Sequence, residues 1–255
     1  MRILLALIVV VLLAAGCDRS NDGAPTQPEP TPVKAEKVDA AVLTFEEQEE
    51  GVEPYPLRMI VTKGFLRMDD GPGSKSYLLY DRATRVIYNV NADDRTVLVI
   101  EDRNKASVAD DKPALEITDR DTSDMPTMKS QKPVHKTLGT AGKRCYDVVA
   151  IPGLMPDVVE AMRGYLLTLS SQQAENIDKT PEEMRDPCMM VNLIHYPARH
   201  LDFGFPLREW DYRGFVRELV DFGNEKVDSG LFTVTGGYRR MTLDRAGLHK
   251  SEPAE

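Results

Sequence analysis

Three cysteines, four histidines and a run of spaced aspartates are the residues of this 255-residue chain whose types could do chemistry. With Cys17 set aside, Cys145 and Cys188 form an even pair. In an oxidising compartment such a pair reads as a disulfide. The competing chemistry is a reactive thiol at Cys188. Asp186-Pro187 has the form of an N-cap and first helical residue, and a helix N-terminus lowers a thiol pKa. Without a CxxC partner the disulfide is the expected state. His195 and His200 are separated by Pro197, so they do not share a helical face and do not make an HExxH site. They read as surface polar residues, while His135 and His249 stand in polar stretches without an evident partner. Cys188-Met189-Met190 near His195 has soft-metal ligand types, but adjacent methionines on a helix are core filler. Asp119, Asp121 and Asp124 invite calcium, yet the glycine and closing glutamate of an EF-hand loop are missing, and a solvated acidic loop is expected. No GxSxG, Walker or dinucleotide fingerprint is present. The expectation is a non-catalytic chain without metal or cofactor.

The elements around these residues begin with an apolar run. Ile3 to Ala15 carries no charge and follows Arg2. It is short for a bilayer span, which needs about 20 apolar residues. A basic start, a short apolar core and small residues before a cut mark a secretory signal. Leu13-Ala14-Ala15-Gly16-Cys17 resembles a lipobox, with Ala14 where leucine is commoner. The resemblance implies a bacterial lipoprotein: a signal peptide over 1–16 and a lipid anchor, palmitate included, on Cys17. Two or more acyl chains hold a protein stably on a membrane. Asp18 at the next position resembles an inner-membrane retention signal, with the outer membrane as the other destination. Pro25, Pro28, Pro30 and Pro32 make 17–38 a tether, extending at about 3.1 Å per residue to roughly 60 Å. The expected location is the cell envelope, facing the periplasm.

Beyond the tether the texture is that of strands. Short apolar runs at Val42–Phe45, Leu57–Thr62, Phe65–Met68, Tyr77–Tyr80, Arg85–Val90 and Thr96–Ile100 are joined by hairpin-length polar connections, which predicts an antiparallel meander. Val86, Tyr88 and Val90 alternate with Ile87 and Asn89, so one face is expected to be the apolar, covered one. Residues 101–140 read as polar and irregular, and Cys145 to Ile151 as another strand. The period then changes. Val158, Met162, Tyr165, Leu166, Leu169 and Gln173 recur at three and four residues, predicting an amphipathic helix from Pro156. Thr180-Pro181-Glu182-Glu183 has capping-box form, and a second short helix is expected from Pro187 to Tyr196. Strand texture returns at Leu207–Tyr212, Phe215–Phe222, Leu231–Val234 and Tyr238–Leu243. Within it, Arg208-Glu209-Trp210-Asp211-Tyr212 alternates charge with aromatic and predicts an aromatic inner face. Residues 245–255 read as a frayed polar tail. Strands, helices, strands is an α+β order with a mostly antiparallel sheet, in one domain over 39–244.

Several of these segments carry a likeness. The strand Phe65-Leu66-Arg67-Met68-Asp69, the hairpin at Asp81-Arg82-Ala83-Thr84, the strand Gly142-Lys143-Arg144-Cys145-Tyr146 and the ending Leu231-Phe232-Thr233-Val234-Thr235-Gly236-Gly237-Tyr238 resemble the Lol-type lipoprotein carriers and their uncharacterised envelope relatives. Thr235 stands where those relatives have proline. The resemblance implies a curved, unclosed half-barrel with helices on its concave face, and a cavity that takes acyl chains. It carries over no ligand-contacting residue, because that cavity is defined by apolar character. The formal charge of −9 argues against nucleic acid as a partner, because phosphate neutralisation needs a basic face. The expected partners are the membrane through lipidated Cys17, lipid or lipoprotein acyl chains, or another envelope protein. The leading function is binding of an apolar ligand or lipidated partner. The alternatives are a scaffold with a filled core and, last, an enzyme.

Overall fold

The computed structural model describes residues 36–102, 112–177, 180–181, 185–244 and 247–250. Cys17, the signal and the tether lie outside the described residues, as do Glu182 and Glu183 of the expected capping box. A meander opens the described chain: β1 (Lys37–Gln48), β2 (Tyr55–Val61), β3 (Phe65–Asp69), β4 (Tyr77–Asp81), β5 (Val86–Asn91) and β6 (Thr96–Glu101). After it come β7 (Glu116–Arg120), β8 (Val134–Thr140) and β9 (Lys143–Ile151). Helix α1 (Pro156–Asn176) and a short helical segment, one α turn at Pro187–Met189 continued by a π turn at Met190–His195, precede β10 (Phe205–Asp211) and β11 (Val216–Asp228). The last strands are β12 (Arg239–Asp244) and β13 (Gly247–Lys250).

Among the described residues, thirteen strands form one open sheet, ordered β13-β12-β6-β5-β4-β3-β2-β1-β11-β10-β9-β8-β7. Every neighbouring pair is antiparallel except β12 with β6. The N-terminal meander and the late strands join through β1 and β11, which pair from Lys37 with Asp228 to Gln48 with Val216. Sequence alternation sorts the meander onto two faces, because successive strand side chains point opposite ways. Leu43, Phe45, Met59, Val61, Leu66, Tyr80 and Ile87 pack on one face with Val158, Ala161 and Met162 of α1. Leu166 and Leu169 lie at the margin of the same cluster. Arg82 fixes the near end of α1: it donates to the Thr62 carbonyl at 2.8 Å and to Asp157 Oδ1 at 2.8 Å. Asp157 sits in the first turn, where a carboxylate complements the helix dipole. Among the described residues, no helix is long and apolar enough to cross a membrane.

The structure corrects four expectations. The stretch 101–140 contains β7 and β8, whose exposed sequence Glu116–Arg120 lacks the apolar alternation that reveals a half-buried strand. Leu231–Val234 is not a strand: Ser229–Phe232 forms a 3₁₀ turn capped by Asp228, whose side chain accepts from the Gly230 amide. The tail continues as β13, paired with β12. The meander is also covered on both faces. Ala40, Ile60, Tyr77, Leu79, Val90 and Val97 form a second cluster with Phe232. The 229–238 segment is held there by Arg67, which donates to the Leu231 carbonyl at 2.8 Å, and by the Tyr77 hydroxyl, which donates to the Thr233 carbonyl at 2.9 Å. Phe65 stacks on Phe232 at 5.6 Å. A turn-forming segment can cover a sheet face as well as a strand can, so its apolar residues mimic strand texture.

Candidate functional site

Two hollows lie beside one helical segment, and the disulfide sets their geometry. Cys145 on β9 is bonded to Cys188, with S–S 1.98 Å and Cα–Cα 5.1 Å. Asp186 caps the segment as its sequence predicts, accepting from the amides of Cys188 and Met189. Asn192, one turn on, donates to the Cys145 carbonyl at 3.3 Å. The bonded sulfurs leave no thiol at Cys188 to react. They tie Pro187–His195 to β9, and Asn192 and Leu193 line the first hollow.

The first hollow, polar in the charged side chains that share its lining with Leu166, Pro197 and Phe215, has a volume of about 540 Å³. Strand register sets two of its lining residues, Glu209 and Arg217, beside Glu47. Glu47 on β1 pairs with Arg217 on β11, and Arg217 pairs with Glu209 on β10. These three residues are therefore direct cross-strand neighbours, and opposite charges at such positions attract. Arg217 Nε donates to Glu47 Oε1 at 2.6 Å, and its Nη1 donates to Glu209 Oε1 at 2.9 Å. Burial works against the Arg217 charge, but Glu209 and Glu47 outweigh it and raise its pKa. Glu209 itself is 1% exposed. The Tyr146 hydroxyl hydrogen-bonds this carboxylate, and His200 Nε2 stands 3.6 Å from its Oε2. Tyr146 on β9 stacks at a tilt on His200, with ring centroids 5.2 Å apart. Burial, then the neighbouring Glu209 carboxylate, push the Tyr146 phenol well above its usual pKa.

Arg199 and His200 enter from a 3₁₀ turn over Arg199–Phe203. That turn ends at Gly204, with φ +119°, where a Cβ would stand 2.2 Å from the Ile151 carbonyl oxygen. Only glycine lets the turn approach β9 so closely. Arg199 is 6% exposed. It donates to the carbonyls of Val191 at 3.3 Å and Tyr196 at 3.1 Å, and to Asn192 Oδ1. These are neutral oxygens at the end of the π turn, where a cation suits the helix dipole. Desolvation lowers the Arg199 pKa to about 10. Its Nε has no hydrogen-bond acceptor. Desolvation also lowers His200 to about 4, against the opposing pull of Glu209, so its imidazole is neutral at pH 7.

The second hollow, of about 370 Å³, is apolar. Leu169 and Ile177 line it from α1 and the residue that follows, Met189, Leu193 and Ile194 from the clamped segment, and Ile100 from β6. Leu193 lines both hollows.

Several sequence readings change here. His200 is buried in the polar hollow and not at the surface. His135 has partners: its Nε2 is 3.1 Å from Asp147 Oδ1, and its ring lies 5.3 Å from that of Trp210. His249 lies on β13, opposite Thr242. On β10 the inner residue is the charged Glu209, while half-buried Trp210 packs on the other face beside His135. Asp119 pairs with Lys136 and the Asp121 carboxylate accepts from Ser123, so these aspartates are engaged locally. Nothing in the sequence pattern marks Glu47, Arg199, Glu209 and Arg217 as a site. Charged residues on strands read as solvent-facing, and Glu47 and Arg217 are 170 residues apart.

No family model and no curated protein sequence matches the chain. Among solved structures, PNGF-II in its C2 space group aligns with a TM-score of 0.38 at 10% identity, over 82% of this chain and 32% of that one. PNGF-II in its P21 space group aligns with a TM-score of 0.36 at 10% identity, over 81% and 32%. The chain thus spans about a third of the length of the structures it matches. A likeness this distant carries no argument about chemistry.

Proposed function

We propose that the chain is a non-catalytic lipoprotein of the bacterial cell envelope. On this reading it is anchored through acylated Cys17 and faces the periplasm on its proline-rich tether. Its sheet-and-helix domain acts as a half-barrel of the Lol-like kind, with α1 on the concave side, and binds an apolar ligand or a lipidated partner. One observation carries the reading: the apolar hollow walled by Leu169, Ile177, Met189, Leu193 and Ile194. A scaffold with a filled core has no need of such a space, and its volume of about 370 Å³ falls within the range of about 300–1,000 Å³ usual for small-ligand pockets.

The test is titration of the full chain with a fluorescent fatty acid, beside Leu169→Glu and Leu193→Glu variants. Saturable binding that either substitution weakens by about tenfold or more supports the reading. Wild-type binding that neither substitution changes refutes it. The anchor has its own test. Cys17→Ser is expected to release the protein from membranes or leave an unprocessed precursor, and unchanged membrane partition with unchanged mobility removes the lipoprotein reading.

A further inference from the structure

The open sheet ends on one side in β7. Among the described residues β7 pairs with β8 alone, so half of its backbone N–H and C=O groups face away from the sheet. Such a row is a template for another strand. All of β7 is exposed, and Ile117 is 51% exposed. Charged side chains on an edge ordinarily discourage pairing, but their order can reverse that effect. Strand side chains alternate, so Glu116, Thr118 and Arg120 share one face, and Ile117 and Asp119 share the other. Asp119 is neutralised within the sheet by Lys136, its cross-strand neighbour. Glu116 and Arg120 form no ion pair among the described residues. Glu116 accepts from the Gly142 amide at 2.9 Å, and Arg120 Nε donates to the Thr137 hydroxyl at 2.9 Å. The edge thus carries one unmatched carboxylate and one unmatched guanidinium, two residues to either side of Thr118.

We infer that β7 pairs with β7 of a second copy of this chain, antiparallel, about a two-fold axis at Thr118. The axis stands perpendicular to the sheet, so like faces meet and the two sheets continue as one. Thr118 then faces the partner's Thr118, and Glu116 faces the partner's Arg120 at both ends. Opposite charges at directly opposed positions attract, and the Arg120 Nη atoms supply the donors. The neighbouring registers lack this match. One centred on Asp119 sets two aspartates opposite each other, which repel. One centred on Ile117 sets Glu116 against Thr118 and leaves Arg120 unmatched. A strand as short as β7 buries little area, so the contact is a weak one, and covalent trapping is the fitting measurement.

The full chain carrying Thr118→Cys is treated with a mild thiol oxidant and read on a non-reducing gel, beside Ile117→Cys and the unaltered protein as baseline. Opposed Cα atoms of an antiparallel pair lie about 4.5–5.5 Å apart, inside the limit of about 7 Å for a disulfide. The two Ile117 positions are diagonal neighbours, about 7–8 Å apart. A cross-linked dimer is expected at Thr118, and the baseline at Ile117. Glu116→Arg or Arg120→Glu, each added to Thr118→Cys, sets like charges opposite each other at both ends and is expected to lower the dimer about fivefold or more. Mixing these two variants sets arginine against glutamate again and is expected to restore it. Sedimentation of the charge variants, alone and mixed, reads the same loss and recovery without an added cysteine. Trapping at Ile117 and not at Thr118 overturns the register. Trapping at neither overturns the pairing. A Thr118 dimer that the charge reversals leave unchanged, or that the mixture fails to restore, overturns the match of Glu116 with Arg120.

Discussion

Acid should loosen this protein through one histidine before its carboxylates titrate. His200 is 6% exposed. Desolvation lowers its pKa from 6.5 to about 4; Glu209 opposes the shift, and Arg199, Arg217 and Arg163 reinforce it. In the unfolded chain the imidazole takes its proton near the ordinary value, so between these two pKa values the unfolded state binds more protons. Stability must therefore fall as pH drops through this window. At about 1.36 kcal/mol per pKa unit, the loss is about 2 kcal/mol between about pH 7 and pH 5, and about 3 kcal/mol by about pH 4. His195 is shifted the same way and is present in every sample. The assay is urea unfolding across this range, for the wild type and for His200→Gln. The variant is expected to show a flatter profile by about the stated amount, whatever its stability at pH 7. The carboxylates act lower. Burial pushes Asp69 up, but hydrogen bonds from Arg58 and Arg67 hold it below its usual value, so its contribution is lost only below about pH 4. Parallel profiles for the wild type and variant between pH 7 and pH 5 would refute the assignment to His200.

Replacing Cys145 and Cys188 together by serine opens a loop of 43 residues. By chain entropy this should cost about 4 kcal/mol, read as a lower urea midpoint, and an unchanged midpoint would show that the bridge does not constrain the unfolded chain. Arg217→Met leaves Glu47 and Glu209 facing each other without their shared cation, and should cost about 3–5 kcal/mol; thermal unfolding checks it, and a stability loss below about 1 kcal/mol counts against the trio. Gly164→Ala on α1 would bring a Cβ to 2.6 Å from the Tyr80 hydroxyl oxygen. It should destabilise by about 1–3 kcal/mol, and Tyr80→Phe in the same chain should recover part of the loss by removing that oxygen. No recovery would mean that α1 does not approach β4 there.

Local chemistry was enough for much of this molecule. The meander strands declare themselves because an apolar–polar alternation matches the two-residue period of a pleated strand. Pro156 and the spacing of Val158, Met162 and Tyr165 mark α1 because their period is that of a helix. Asp186-Pro187 predicts its cap, since that bond spans only two or three residues. The Cys145–Cys188 bond is the pairing expected of the two cysteines that lie within the strand-and-helix region. What tertiary structure alone decided depends on register and on long-range approach. β7 has no apolar face to announce it, and the 229–238 segment covers a sheet face although its residues look like a strand. The polar hollow is the clearest case. Glu47, Glu209 and Arg217 each look like ordinary solvent-facing charges along their strands. They become a trio, two buried carboxylates about a half-buried arginine, only because β1, β11 and β10 pair in one register, which sets three side chains from distant parts of the chain side by side. Arg199 and His200 join them because Gly204 lets a turn press against β9. No local pattern records such an approach, since the burial that changes these groups' chemistry is made by residues far away in sequence.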